Sequence, residues 1–306
     1  MAHGEGDGAW RHAAAAGIRV VHAADGGGPA RARNAGARAA LGDIVFFVDA
    51  DVAIHPDAVA EMQAAFADTP RLSAVMGSYD DAPSEPNFWS QYKNLFHHYV
   101  HQSSRTGAST FWAGCGAIRR EALAAAGGFD ERYSRPSIED IELGYRLTKA
   151  GHAIQLRKTL LATHLKRWTP ISLIRSDVLD RAIPWTALIL RDRRLINDLN
   201  LRGSCRASVM LVAGLFGALI AAPWWPSAIG AAILCAVALV WLNADVYRFF
   251  WQKRGWRFAL RAVPVHWAYY FYSGAAFAAG LALHVRRVAA RTAPEPALTD
   301  VPTESA

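Results

Sequence analysis

The sequence predicts an α/β fold with a mostly parallel sheet and flanking helices, followed by a C-terminal transmembrane helical region. Three observations predict it. Short apolar runs alternate with helical stretches from Ile18 to His164, the rhythm of βαβ units. Ile44-Val45-Phe46-Phe47-Val48 is a continuous apolar run, which suits a strand covered on both faces. No Asp, Glu, Lys or Arg occurs in the 38 residues from Ala207 to Ala244. As helix that run would be about 57 Å long, against a bilayer core about 30 Å thick.

The elements follow in order. Ile18-Arg19-Val20-Val21 reads as a short strand, and Pro29 to Leu41 as a helix opened by Gly26-Gly27-Gly28. After the Gly42-Asp43 turn comes the apolar strand. Pro56 to Phe66 is the next helix, with proline in its first turn. Leu72 to Gly77 reads as a strand and Asn87 to Ser103 as a helix. Arg119 to Ala126 is a helix stopped by Gly127-Gly128, and Ser137 to Ala150 a helix stopped by Gly151. Ala153 to Leu161 is a strand leading to His164. Residues 169–205 alternate apolar Ile171, Ile174, Val178 and Ile183 with Arg175, Asp177, Asp180 and Arg181. That pattern fits amphipathic helices, either on a headgroup layer or packed on their own domain.

The transmembrane region is expected over 206–288. Pro223-Trp224-Trp225-Pro226 divides the charge-free run into a hairpin over 207–243, because proline breaks helices and tryptophan favours the membrane interface. A third apolar segment over 262–285 is either a span or a re-entrant, interfacial piece. Arginines and lysines flank the hairpin on both sides and avoid its turn, so both flanks, and the domain at 1–168, are expected on the cytoplasmic side of a plasma membrane. The tail at 289–306 is expected to be disordered, and no cleavable secretory signal is read at the N-terminus.

Composition narrows the function. The 306 residues are 52% hydrophobic and 19% charged, and the mean hydropathy of +0.08 is an average over two unlike parts. A net charge of +7 suits an anionic partner. The cations cluster beside the apolar segments, which disfavours nucleic acid. Three cysteines without CxxC spacing exclude a disulfide framework and a cysteine zinc site.

The chemistry concentrates at a few places. Asp49-Ala50-Asp51 ends the apolar strand, where open α/β sheets bind ligands. Two adjacent carboxylates repel unless a cation lies between them. A hard divalent ion, Mg2+ or Mn2+, bridging to a diphosphate answers that need. A solvated turn is the plainer reading of such a pair. A dehalogenase-type phosphatase shares the context, but its Gly/Thr-rich turn is replaced here by Val52-Ala53-Ile54-His55. Glu139-Asp140 opens a helix, where capping is the simpler role. Gly114 and Gly116 suit a close approach of backbone to ligand, or a tight bend. His164-Leu165-Lys166-Arg167-Trp168 joins an imidazole, two cations and an aromatic plane.

In this order, the Gly28–Gly36 segment Gly-Pro-Ala-Arg-Ala-Arg-Asn-Ala-Gly, the strand with Asp49-Ala50-Asp51, Gly114-Cys115-Gly116, Gly127-Gly128-Phe129-Asp130-Glu131 and Glu139-Asp140 resemble a family 2 glycosyltransferase with the GT-A fold. The resemblance spans Gly17 to Trp168. It implies inverting transfer of a sugar from a nucleotide-diphosphate donor to a lipid or glycan acceptor, with a divalent metal. It further implies Asp140 as the catalytic base. Arg33, Asn34, Asp49, Asp51, Gly114, Gly116, Arg167 and Trp168 are implied at the donor, and Asp51 with His164 at the metal. His164 replaces the glutamine of the QxxRW motif of processive members, which favours a single transfer. A non-catalytic membrane subunit with a degenerate fold is the alternative. Members of the family begin with two further strands, the second carrying a DDGS-like acidic segment. Met1 to Gly8 stands where that segment ends, so the chain as given is expected to bind donor or fold poorly.

Overall fold

The computed structural model describes residues 2–3, 9–23 and 28–292. The expected helix-opening Gly26-Gly27 and the tail beyond Thr292 lie outside them. Short strands β1 (Ala2–His3) and β2 (Val21–His22) pair in parallel across helix α1 (Ala9–Ala15). Then come α2 (Gly28–Ala39), β3 (Ile44–Val48), β4 (Val52–Ile54), α3 (Ala58–Asp68), β5 (Leu72–Tyr79) and α4 (Phe88–Ser103). The α/β part ends with β6 (Gly107–Ala108), β7 (Cys115–Arg119), α5 (Arg120–Ala125), α6 (Glu139–Lys149) and β8 (Ala153–His164).

The main sheet has the order β3-β7-β5-β8-β4, with β6 also on β8. Only β5 and β8 pair in parallel; the other pairs are antiparallel. The expected mostly parallel sheet is thus a mixed one. The apolar-run argument reads coverage of both faces, not strand direction. β3 has Val45 and Phe47 buried with Phe111 and Phe129 on one face. On the other face, Ile44 and Phe46 lie half-covered against the cluster of Met62 and Phe66. An antiparallel strand covered in this way has the same sequence as a parallel one. The far edge of β3 pairs with no strand among the described residues.

β5 and β8 each run beyond their expected ends, to Tyr79 and His164. Register shifts between Leu72 and Ala74, and between Met76 and Ser78, interrupt their ladder. This lengthening sets Val52 of β4 opposite His164 and so brings the turn at Asp49–Asp51 beside the end of β8.

Beyond Trp168 the chain is helical. α7 (Pro170–Arg175) is opened by a capping box at Thr169. A π-helical turn (Ser176–Ala182) leads into α8 (Ile183–Asp192), and a single 3-10 turn (Leu199–Leu201) precedes α9 (Gly203–Ala221). α10 (Ala228–Leu242), α11 (Ala244–Arg254) and α12 (Trp256–Thr292) complete it. The expected hairpin is formed by α9 and α10, joined through the Pro-Trp-Trp-Pro turn. Among the described residues α9 is the one helix long and apolar enough to cross a bilayer alone. α10 reaches that measure only together with α11, across a 59° bend. The segment 262–285 is not separate but lies within the 37-residue α12. Residues 289–292, expected in the tail, continue that helix.

Apolar packing continues between the ranges 1–168 and 206–288. One apolar cluster runs from Val45 and Met76 through Tyr92, Phe96 and Val100 of α4 to Val246, Phe250, Ala259 and Ala262 of α11 and α12. Lys93 of α4 pairs with buried Asp177 of the π-helical turn, and the Tyr272 hydroxyl donates to the same carboxylate at 2.8 Å.

Candidate active site at the strand tips

Arg33, on the inward face of α2, organises the site. Its Nη2 donates to Asp49 Oδ1 at 2.7 Å and its Nη1 to Glu139 Oε1 at 2.7 Å. One guanidinium therefore ties the tip of β3 to the first turn of α6. Burial works against the Arg33 charge, but Asp49, Glu139 and Asp140 outweigh it and raise its pKa. The ring of Phe129 lies 5.5 Å beneath it.

Asp140 is held by its own neighbours. Its Oδ1 accepts from the N–H of Ile141 at 2.8 Å and its Oδ2 from the N–H of Ala113 at 3.3 Å. Burial, then the adjacent Glu139, push its carboxyl up to about 6, and Arg33 opposes them. Such a group is ionised at neutral pH yet far more basic than an ordinary aspartate. The helix-capping role is real as well, since three acids stand in the first turn of α6.

Asp51 lies beside the end of β8, its carbonyl accepting from the Leu165 N–H at 2.8 Å. Its Oδ2 is 3.8 Å from His164 Nε2 and 4.0 Å from Lys166 Nζ. His164 beside it holds the carboxyl below its ordinary value, against the effect of burial. The imidazole is itself fixed: it is buried, and Tyr79 stacks on it at 4.2 Å with 16° between the planes. Tyr79 also meets the Trp112 ring edge-on at 4.7 Å. Burial first, then the negative fields of Asp51, Asp49 and Asp140, push the Tyr79 hydroxyl well above its ordinary value. The charges of Asp49, Asp51 and Asp140 thus all bear on one aromatic side chain.

Other expected donor residues are used differently. The Asn34 amide donates to the Phe129 carbonyl at 2.9 Å and to Glu131 at 3.0 Å, and its oxygen accepts from the Phe129 N–H at 2.8 Å. It grips the Gly127–Glu131 turn and has no hydrogen atom left for a ligand. Gly114 and Gly116 do permit a close approach, but by the chain's own aromatics. A Cβ on Gly114 would stand 2.6 Å from the Trp112 ring, and one on Gly116 would overlap the Trp112 carbonyl oxygen and stand 2.9 Å from the Phe111 ring. Arg167 turns outward to Glu85 at 3.1 Å. Trp168 is buried, its N–H bonded to Ser90 Oγ at 2.7 Å, and its ring supports Lys166 Nζ at 4.5 Å. Lys166, not Arg167, is the cation that this segment presents beside Asp51.

Among the described residues no three His, Cys, Asp or Glu side chains converge as a metal cluster. Asp51 and His164 offer an oxygen and a nitrogen that fit a hard divalent ion whose remaining ligands come from a bound diphosphate and water. Tyr79 was not singled out from the sequence. The one available signal was a β-favouring tyrosine two residues past the expected end of its strand.

Residues 4–127 match the family described as glycosyl transferase family 2. No curated protein matches the sequence. The structure is similar to the mannosyltransferase PcManGT from Pyrobaculum calidifontis in complex with GDP-Man and Mn2+, at 18% identity and a TM-score of 0.52, over 87% of this chain and 72% of that one. It is also similar to glucosyl-3-phosphoglycerate synthase from Mycobacterium tuberculosis in complex with Mn2+, UDP-Glc and glycerol 3-phosphate, at 21% identity and a TM-score of 0.41, over 62% of this chain and 66% of that one. The first likeness supports a GT-A-like fold with a mixed sheet.

Proposed function

We propose that the protein is an inverting glycosyltransferase that moves a sugar from a nucleotide-diphosphate donor to a lipid or glycan acceptor at the cytoplasmic face of a membrane. The observation that carries the reading is Arg33 joining Asp49 to Glu139, next to Asp140, while Asp51 lies beside His164, on which Tyr79 stacks. Asp140 takes the proton of the acceptor hydroxyl as it attacks the anomeric carbon from the face opposite the diphosphate. The C–O bond to the diphosphate breaks, the new glycosidic bond forms, and the centre inverts without a covalent enzyme intermediate. Arg33 fixes Asp49 at the donor side and balances the charge beside Asp140. Asp51 and His164 would hold a divalent ion, which when bound supplies Lewis-acid stabilisation of the leaving diphosphate. Lys166 adds a charge-assisted hydrogen bond to the same group.

Exposed apolar side chains support the membrane reading. Met210, Ile220, Trp224, Leu234 and Trp241 on α9, α10 and their turn are each at least two-thirds exposed. Ile171 of α7 is 80% exposed as well. The lysines and arginines that flank the hairpin and avoid its turn favour a cytoplasmic open end.

Purified protein in detergent–lipid micelles, given radiolabelled UDP- or GDP-sugars and a membrane-lipid extract, tests the reading. Transfer to a lipid or glycan product that rises with Mn2+ is expected, with inverted linkage. Inorganic phosphate released without transfer would instead mark a phosphatase. Donor binding without any transfer, across the nucleotide-sugars tried, would favour the non-catalytic subunit.

A further inference from the structure

A polar cavity of about 250 Å3 lies where α4, α9, the α10–α11 junction and α12 meet. Tyr99, Arg202, Ser204, Asn243, Asp245 and Tyr270 contribute to its wall. Most of these groups are already satisfied. Asn243 donates to Ser208 Oγ at 3.0 Å and accepts from the Tyr270 hydroxyl at 2.8 Å. Asp245 pairs with Arg248 at 3.2 Å.

Arg202 is the exception. Its Nη1 reaches Ser103 Oγ at 3.3 Å, and no carboxylate among the described residues lies within ion-pair distance of this half-buried side chain. A guanidinium without a carboxylate partner at the wall of a polar cavity suits an anion such as phosphate. The cavity also has a definite level. It touches the start of α9 and the end of α10, the two polar boundaries of the charge-free run. Below it the outer faces of both helices expose Met210, Ile233 and Val237. The first turn of α9, whose N–H groups lack acceptors within the helix, opens beside it.

We propose that this cavity binds the phosphate of an anionic membrane lipid, with Arg202 as its cation and the acyl chains lying along α9 and α10. The inference rests on the membrane reading above and concerns a site apart from catalysis. The bound phosphate joins α4 of the catalytic part to the open end of the helical hairpin.

The test is native mass spectrometry of the full chain in neutral detergent, titrated with phosphatidylglycerol or phosphatidylcholine. The unaltered protein is expected to retain phosphatidylglycerol in preference. Arg202→Gln should reduce that retention about tenfold, the scale of one lost charge-assisted hydrogen bond, while Arg206→Gln, at an exposed cation one turn along, leaves it unchanged. Ser204→Leu, which crowds the mouth without altering charge, should give the same loss and serves if Arg202→Gln folds poorly. Equal retention by the Arg202 variant, or equal loss in the Arg206 variant, would overturn the site in favour of a diffuse basic belt. Displacement of the lipid by millimolar inorganic phosphate would assign the cavity to a free anion and overturn the lipid. Entry of the protein into phosphatidylcholine and phosphatidylglycerol vesicles alike, with no preference for phosphatidylglycerol in the titration, sinks this inference alone; failure to enter either vesicle sinks the membrane reading itself.

Discussion

Asp140 illustrates how one side chain acquires its chemistry from its surroundings. Its carboxyl is raised to about 6 because burial and Glu139 disfavour its charge more than Arg33 favours it. Proton acceptance requires the ionised form, so transfer should fall about tenfold per pH unit below roughly pH 6, a limb that kcat against pH displays. Asp140→Asn should lower turnover by about 10²- to 10⁴-fold, with donor affinity kept in calorimetry. Unchanged turnover would remove Asp140 from the base role. The same shift has a stability sign. The folded state binds the Asp140 proton more tightly than the unfolded chain, so the group's contribution to stability falls as pH rises from about 4 to about 6. At neutral pH, Asp140→Asn should therefore stabilise the fold by about 1–2 kcal/mol, discounting the shift for the solvent that reaches this half-buried group. A raised Tm in an inactive variant is the expected signature.

At the scale of elements, polar side chains decide which segments meet. Asn34 fastens α2 to the turn before α6 through three hydrogen bonds, and so keeps Arg33 between Asp49 and Glu139. Asn34→Ala should cost about 2–3 kcal/mol in denaturant unfolding, with kcat falling in step as Arg33 loosens. A donor affinity that collapses while stability is unchanged would instead return Asn34 to the donor site. Asp177 binds the π-helical turn to Lys93 of α4 and to Tyr272 of α12. Burial favours the neutral form of Lys93, and Asp177 opposes it. Asp177→Ala leaves that ammonium buried and unpaired and should cost about 3–5 kcal/mol. Replacing the pair with Met at 93 and Leu at 177 should recover most of the loss. Neither partnership has a sequence pattern: Lys93 and Asp177 are 84 residues apart, and each alone resembles an ordinary surface charge.

For the whole molecule, the α/β part and the apolar helices share a core. Tyr92, Phe96 and Val100 of α4 are covered by Phe250 of α11 and Ala262 of α12. A chain ending at residue 198 would expose that face, so it should aggregate or bind hydrophobic dyes, as size-exclusion chromatography and dye fluorescence would register. A monomeric, cooperatively melting fragment would contradict the continuous core. Local pattern was enough to determine the alternation of strands and helices, the acids at the tip of β3, the acid pair opening α6 and the charge-free hairpin. Each depends on residues adjacent in the chain or one helical turn apart. Strand direction, the outward turn of Arg167, the use of Gly114 and Gly116 by Trp112 and Phe111, the placement of Tyr79 against His164 and the core shared by the two expected parts were decided only by tertiary packing. Those features arise between groups distant in sequence, where several partners satisfy the same hydrophobic and hydrogen-bonding needs and only the assembled fold selects among them.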